Sequence, residues 1–136
     1  MVLDRNVLEI ALNSLEEVSL EGNVSNISEL KGICRKHILN NGLDPNFSEN
    51  PKKAIVSIEN SRGLSYDLYI QILNELKIAY GNIRNEEAIL ITKGEYNYAQ
   101  LKTCSESNLQ ESEKCKKFKT LVKEKYPMNI VEKEVK

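Results

Sequence analysis

The chain has 136 residues, of which 40% are hydrophobic and 29% charged, and this composition predicts one globular domain rather than a disordered segment. Its 19 basic and 20 acidic residues leave a formal charge of −1, which lacks the basic excess typical of a dedicated nucleic-acid-binding protein. No stretch holds the roughly 18 apolar residues of a membrane-spanning helix, and no signal peptide is recognisable, so the sequence predicts a soluble chain.

The first patterned segment is residues 6–13, where apolar side chains fall at every second position. Alternation with a period of two is typical of a half-buried strand. Residues 18–20 predict a short second strand that ends at residues 21–23. The two strands are therefore expected to form a β-hairpin.

The first helix is predicted to begin after Asn26. Asn26 and Glu29 have the spacing of a capping box, in which Asn26 accepts from the first turn and Glu29 reaches back to the backbone. The helix carries one apolar stripe and is expected to end at residues 40–42. Residues 43–53, which contain two prolines, are predicted to form a loop.

A central strand is predicted at residues 54–58, because they form a short apolar run rich in β-branched side chains. Residues 60–63 predict a turn, and Ser65 is the expected N-cap of a long second helix. Apolar residues of that helix fill an arc of roughly 140°, which indicates a helix packed flat on a sheet. They are Leu68, Tyr69, Ile72, Leu73, Leu76, Ala79, Tyr80 and Ile83.

The pattern weakens after the second helix. Residues 96–98 predict a helical turn, residues 104–108 a polar loop and residues 109–125 a third helix, which Pro127 ends. Residues 128–131 predict a last strand. This order of elements predicts an α/β (α+β) fold of two layers, with helices on one face of a small mixed β-sheet.

Few residues point to catalysis. His37 is the only histidine and follows Cys34 by three residues on the same helix face, so an enzyme would need this pair and a reactive thiol. No CxxC, HxxxH, GxGxxG or Walker pattern is present. Both residues are interpreted as part of the core or its edge, and we predict no catalytic residue, no metal and no cofactor.

Six lysines between Lys114 and Lys125 make the last helix basic. Glutamates alternate with them, which favours a solvated face over a surface that binds phospholipid head groups or an acidic polymer.

Three cysteines are too few for a disulfide scaffold and do not settle the redox compartment. A continuous helix from Cys104 to Cys115 would separate the two residues by about 16 Å at 1.5 Å per residue. A disulfide requires Cα atoms within about 7 Å, which only a sharp turn at residues 105–107 would allow. The sequence therefore favours free thiols.

Residues 54–87 carry a longer pattern: a strand, then a turn N-x-R-G-x-S-Y, then a helix Y-I-Q-x-x-N-E-L-x-x-A-Y-x-x-x-R-x-E. This pattern resembles the C-terminal half of the ExbD/TolR family of biopolymer-transport proteins, and most of all its Bacteroidetes-type branch. Fifteen positions agree, which is far more specific than a short motif. They are Asn60, Arg62, Gly63, Ser65, Tyr66, Tyr69, Ile70, Gln71, Asn74, Glu75, Leu76, Ala79, Tyr80, Arg84 and Glu86.

Other segments resemble the same branch, namely DRNVLEIALNS at residues 4–14, NISEL at 26–30 and KYPMNIVEKE at 125–134. Residues 1–136 are thus identified as a single ExbD/TolR-like periplasmic domain, in which residues 88–120 match less well and are interpreted as a family-branch insertion.

The resemblance implies a role in energy transduction rather than bond chemistry. Family members dimerise within a ring of an ExbB/TolQ-like proton-channel protein and pass movement to a TonB- or TolA-like transducer, which powers outer-membrane transport or envelope maintenance. They carry one transmembrane helix with a proton-handling carboxylate. The sequence contains no such helix, so the expected chain is the periplasmic domain of a single-pass inner-membrane protein.

The turn that opens the second helix is the predicted partner-binding site. Gly63 would supply an unusual backbone conformation, Tyr66 and Tyr69 would pack the turn against the sheet, and Arg62 would be an exposed interface anchor. The alternative is that the motif only builds a rigid turn. The predicted site residues are Asn60, Arg62, Gly63, Ser65, Tyr66 and Tyr69.

Two other functions stay open beside the coupling role and the enzyme. A TolR-like domain could bind peptidoglycan through a basic groove of the dimer, and an unrelated cytosolic adaptor could share the fold.

Overall fold

The structure is a computed structural model that describes residues 3–12, 18–20, 23–61, 66–104 and 109–135. A short 3₁₀ helix at Asp4–Asn6 precedes the first strand. The strands are β1 (Val7–Leu12), β2 (Val18–Leu20), β3 (Asn23–Ser25), β4 (Ile55–Ser61) and β5 (Ile130–Val135), and the helices are α1 (Ile27–Ile38), α2 (Tyr66–Ile91), α3 (Tyr98–Cys104) and α4 (Leu109–Lys125).

The five described strands form one mixed sheet in the order β3-β2-β1-β4-β5. β2 pairs antiparallel with both β1 and β3, whereas β4 lies parallel to β1 on one side and to β5 on the other. Both parallel steps, from β1 to β4 and from β4 to β5, move in the same direction along the sheet. The predicted α/β fold with a mixed sheet is confirmed.

The chain divides into two compact units. The first comprises Met1–Ala79 and Asn129–Lys136 and contains the sheet, α1 and the first half of α2. The second comprises Tyr80–Met128 and contains the rest of α2 with α3 and α4.

The core of the first unit is formed by the covered face of the sheet. Leu8 and Ile10 of β1 are buried, while Glu9 between them is exposed. Val56 and Ile58 continue this face on β4. Apolar residues of α1 and α2 complete the core, and each buried aliphatic side chain contributes roughly 1.5–3 kcal/mol by leaving water. These helix residues are Leu30, Cys34, Ile38, Ile72 and Leu76.

The second unit has its own small core, which contains Ala88, Leu101, Cys115 and Val122. Its helix α3 begins with a reciprocal cap. The amide of Gln100 donates to the Asn97 side chain over 2.8 Å, and the amide of Asn97 donates to the Gln100 side chain over 2.8 Å. This cap fixes the start of a helix for which the sequence predicted only a turn.

Most predicted elements are present, with changed bounds. The hairpin of β1 and β2 is confirmed, and α2 extends to Ile91. Strand β3 was not predicted, because residues 23–25 hold a single apolar side chain. The last strand begins at Ile130 rather than at residue 128 and runs to Val135.

The N-cap of α1 is Asn26, as predicted, but the capping box is wrong. The Asn26 side chain makes no hydrogen bond to the helix backbone and instead accepts from the Ser28 hydroxyl. Glu29 accepts from the hydroxyl of Ser25, one residue before the cap. The hydroxyls at positions 25 and 28 therefore donate to these two side chains, in place of the backbone amides that a capping box would use.

Candidate functional site

The predicted partner-binding residues lie at the carboxyl end of β4 and the start of α2. Asn60 is the sixth residue of β4, and its backbone pairs with Glu134 of β5. Arg62, Gly63 and Ser65 lie outside the residues that the structure describes, as does the predicted N-cap. The turn predicted at residues 60–63 is wrong at its start, because residues 60 and 61 still belong to β4. Tyr66 and Tyr69 are described, and both fall in the first turn of α2.

The two tyrosines differ in their surroundings. The Tyr66 side chain is exposed, at 74%, so the prediction that it packs against the sheet is wrong. The Tyr69 ring is half-buried, and its hydroxyl donates to the Glu132 carboxylate over 3.2 Å. Partial burial, followed by this carboxylate, raises the pKa of Tyr69, which therefore remains a neutral donor. The ring centroids of the two tyrosines are 6.4 Å apart.

A second group of polar residues lies at the amino ends of the parallel strands. Asn6, directly before β1, is buried, and its side-chain oxygen accepts from the amide of Glu49 over 2.8 Å. His37 of α1 is also buried. Its Nε2 lies 2.9 Å from the carbonyl oxygen of Asn6 and 3.2 Å from that of Ile55. Since both neighbours only accept, Nε2 carries the proton, and His37 ties α1 to the starts of β1 and β4.

The buried side-chain amide of Asn40 makes three hydrogen bonds within the loop between α1 and β4. Its nitrogen donates to the carbonyl oxygens of Asp44 and Ser48 over 2.9 and 2.7 Å, and its oxygen accepts from the Asp44 amide over 2.9 Å. The chain turns out of α1 at Gly42, whose φ of +80° favours glycine. The predicted helix end at residues 40–42 agrees with this turn. The hydrogen bonds of the Asn40 side chain at this turn were not predicted.

A cavity of about 560 Å³ opens beside these residues, within the range of roughly 300–1,000 Å³ typical of small-molecule sites. Sequence reasoning missed it. A sequence pattern that could have indicated the cavity is an asparagine followed by two aliphatic residues, which occurs at the start of both β1 and β5. The lining residues are Leu3, Asn6, Glu49, Lys52, Lys53, Ile55, Asn129 and Val131.

The charges of this cavity are unevenly matched. The Glu49 carboxylate accepts from the Lys53 ammonium over 3.0 Å and from the Asn6 amide over 3.4 Å. These bonds, that of Lys53 first, lower the pKa of Glu49, so the carboxylate remains charged. Lys52 has no such carboxylate among the described residues.

The cysteine considered as a nucleophile is unsuited to that role. Cys34 is buried in the core, and burial raises its pKa to about 12. The thiol therefore stays protonated near neutral pH, whereas a nucleophilic cysteine acts as the thiolate. Within the described part of the chain, no three His, Cys, Asp or Glu side chains lie together as metal ligands would.

The other two cysteines are joined. Cys104 and Cys115 form a disulfide whose Cα atoms lie 6.1 Å apart. The expectation of free thiols is therefore wrong. The continuous helix that would keep the two residues apart is not formed, since α3 ends at Cys104 and α4 begins at Leu109.

The basic helix α4 is partly neutralised by acids outside it. Lys114 pairs with Glu95 and Lys125 pairs with Glu87, each over 3.0 Å. The hydrogen bond that the Lys125 ammonium donates to the Glu87 carboxylate raises the pKa of Lys125. These pairs fit the interpretation of α4 as a solvated face.

No protein-family model, no curated protein and no solved structure matches the chain. Among the described helices, none combines the length and the apolar character needed to cross a membrane.

Proposed function

We propose that this chain is the periplasmic coupling domain of a proton-motive-force-driven complex of the ExbD/TolR type. It acts by binding proteins: a second copy of itself, an ExbB/TolQ-like proton-channel protein and a TonB/TolA-like transducer. The complex powers outer-membrane transport or envelope maintenance. The resemblance over residues 54–87 supports the family, and the exposed surface at the start of α2 supports the mode of action.

The observation that carries the proposal is the exposure of Tyr66 at the point where the resembling segment enters α2. A large aromatic ring in water forgoes the roughly 1.5–3 kcal/mol that its burial would give. Tyrosine is also enriched among the anchors of protein interfaces. The neighbouring Tyr69 is held to Glu132 of β5, so Tyr66 is presented next to a fixed ring.

The disulfide between Cys104 and Cys115 supports an oxidising compartment. Disulfides persist in the bacterial periplasm and are rare in the cytosol, where thiols are kept reduced. This observation favours the coupling role over the cytosolic adaptor.

Photo-crosslinking from position 66 tests the proposal in cells. Tyr66 is replaced by p-benzoylphenylalanine in the full-length protein, and the control carries the same residue at Ile78, an exposed position farther along α2. We expect an adduct with the TonB/TolA-like transducer from position 66 only. Because the partner contact depends on the proton motive force, the adduct should be lost when an uncoupler is added.

Two results would overturn the proposal. One is the absence of a transducer adduct from position 66, and the other is an adduct of equal yield from position 78 that the uncoupler does not change. Arg62→Ala extends the test to the rest of the motif, since loss of energised transport in a folded protein would assign Arg62 to the same surface.

A further inference from the structure

The cavity described above lies where three neighbouring strands begin. Asn6 precedes β1, Ile55 opens β4 and Asn129 precedes β5, and these strands are adjacent in the sheet. We propose that this cavity binds a small amphipathic carboxylate, a ligand with one acid group on an apolar body. This proposal is separate from the coupling role of the α2 surface.

The sign of the ligand's charge follows from the lining. Two ammonium groups, Lys52 and Lys53, face one carboxylate, Glu49. Glu49 is already bonded to Lys53 at 3.0 Å, so these two charges offset each other. Lys52 has no ion pair among the described residues, and Arg5 adds a further positive field that acts on Glu49. The remaining charge is positive, which favours one anionic group on the ligand.

The apolar part of the ligand would contact apolar side chains that line the cavity. Leu3 and Val131 both line the cavity and are 43% and 47% exposed. Ile55 completes this apolar lining and is half-buried. An acid with an apolar body would remove this surface from water while its carboxylate meets Lys52.

The cavity wall is fixed before any ligand arrives. The Asn129 carbonyl oxygen accepts from the amide of Val56 over 2.9 Å, which joins the starts of β4 and β5. The Asn129 side chain donates to the carbonyl oxygens of Lys52 and Ala54, both at 3.4 Å. Asn6 is buried and held by the Glu49 backbone. A preformed site avoids the cost of ordering loops on binding.

The chemistry leaves two sources for the ligand, a lipid-derived acid or an apolar amino-acid derivative. The probes are therefore octanoate and N-acetylleucine, with octanol and octylammonium as uncharged and cationic counterparts. The whole chain is titrated with each probe by calorimetry, and amide shifts are followed by NMR. Whichever acid binds more tightly identifies the source, and either preference supports the proposal.

We expect saturable binding of an acid, with amide shifts concentrated at residues 52–55 and 129–131. Octanol and octylammonium should bind roughly tenfold more weakly or worse, because they lack the bond to Lys52. Lys52→Met should weaken octanoate by roughly tenfold. The matched control is Lys77→Met, which removes an exposed lysine of α2 and should leave binding unchanged.

Val131→Trp provides a second test, because a larger side chain at this exposed edge-strand position fills the cavity without disturbing the core. It should abolish octanoate binding, and circular dichroism verifies that the variant is folded. The proposal is overturned if no acid binds saturably, if octylammonium binds as well as octanoate, or if Lys52→Met changes nothing. A negative result here would leave the transducer contact at Tyr66 unaffected, so the two proposals fail separately.

Discussion

The two ends of the parallel strands in the first unit use polar and aromatic residues in opposite ways. At the amino ends, Asn6 and His37 are buried and bonded to backbone groups far along the chain, and the buried Asn40 side chain holds the loop before β4 through bonds to Asp44 and Ser48. Beyond the carboxyl end of β4, Tyr66 lies in water, and Tyr69 makes one hydrogen bond to an exposed glutamate. The first end is built on internal bonds, whereas the second presents side chains outward.

This difference predicts which property each end controls. A buried polar group that loses its partner costs about 1–3 kcal/mol, because it can no longer bond to water. An exposed side chain that makes no internal contact costs within about ±0.5 kcal/mol. Substitutions at the amino ends should therefore change stability, and those at the start of α2 should change binding.

The largest expected effect is that of Asn40→Ala. Removing this side chain deletes three hydrogen bonds, each worth roughly 1 kcal/mol. The Asp44 carbonyl oxygen keeps the Arg5 guanidinium and the Ser48 carbonyl oxygen keeps the Gly42 amide, whereas the Asp44 amide loses the Asn40 oxygen. We expect the free energy of unfolding to fall by about 3 kcal/mol in urea denaturation. The control is Asn74→Ala on the exposed surface of α2, for which we expect a change within about ±0.5 kcal/mol. Equal effects of the two substitutions would remove the contrast between the two ends.

An intermediate effect is expected for Glu49→Gln, and it should depend on pH. The Lys53 bond, followed by that of Asn6, lowers the pKa of Glu49 below its ordinary value of 4.5. The stabilisation is therefore complete above about pH 4.5 and is lost as the pH falls through the lower pKa of the folded state. Melting temperatures of wild type and Glu49→Gln should differ above that pH and converge in acid.

Lys53→Met is the control for this pH dependence, because it removes the first cause of the lowered pKa. In a Lys53→Met background, Glu49→Gln should have a smaller effect than in the wild type. An undiminished effect would mean that Glu49 stabilises the loop through other groups.

Local patterns were enough to predict much of the fold. The apolar stripe of α2 repeats with the helical period, and its members Ile72 and Leu76 are fully buried. Strand β3 could not be predicted in this way, since its pairing with β2 rather than its own side chains defines it. The site at the amino ends depends on contacts such as His37 to Asn6, which are 31 residues apart and have no local signature.

The exposure of Tyr66 could have been predicted. At 100° per residue, Tyr66 lies roughly 90° from the centre of the apolar stripe and about 20° beyond its edge at Leu73. The turn motif nevertheless suggested that both tyrosines pack against the sheet. Their separation by three residues puts Tyr69 inside the stripe, about 30° from its centre, and Tyr66 just outside its edge.

The smallest expected effect on stability is that of Tyr66→Ala. The ring is 74% exposed and makes its one described ring contact with Tyr69, so we expect the free energy of unfolding to change by no more than about 0.5 kcal/mol. Energised transport by the full-length protein should nevertheless be lost, since truncating an interface anchor costs about 2 kcal/mol or more of binding. Tyr69→Phe is the matched control, because it removes the hydroxyl bonded to Glu132 and keeps both rings. It should retain transport. A Tyr66→Ala protein that melts several degrees lower would show that the ring supports the fold, and one that transports normally would show that partners bind elsewhere.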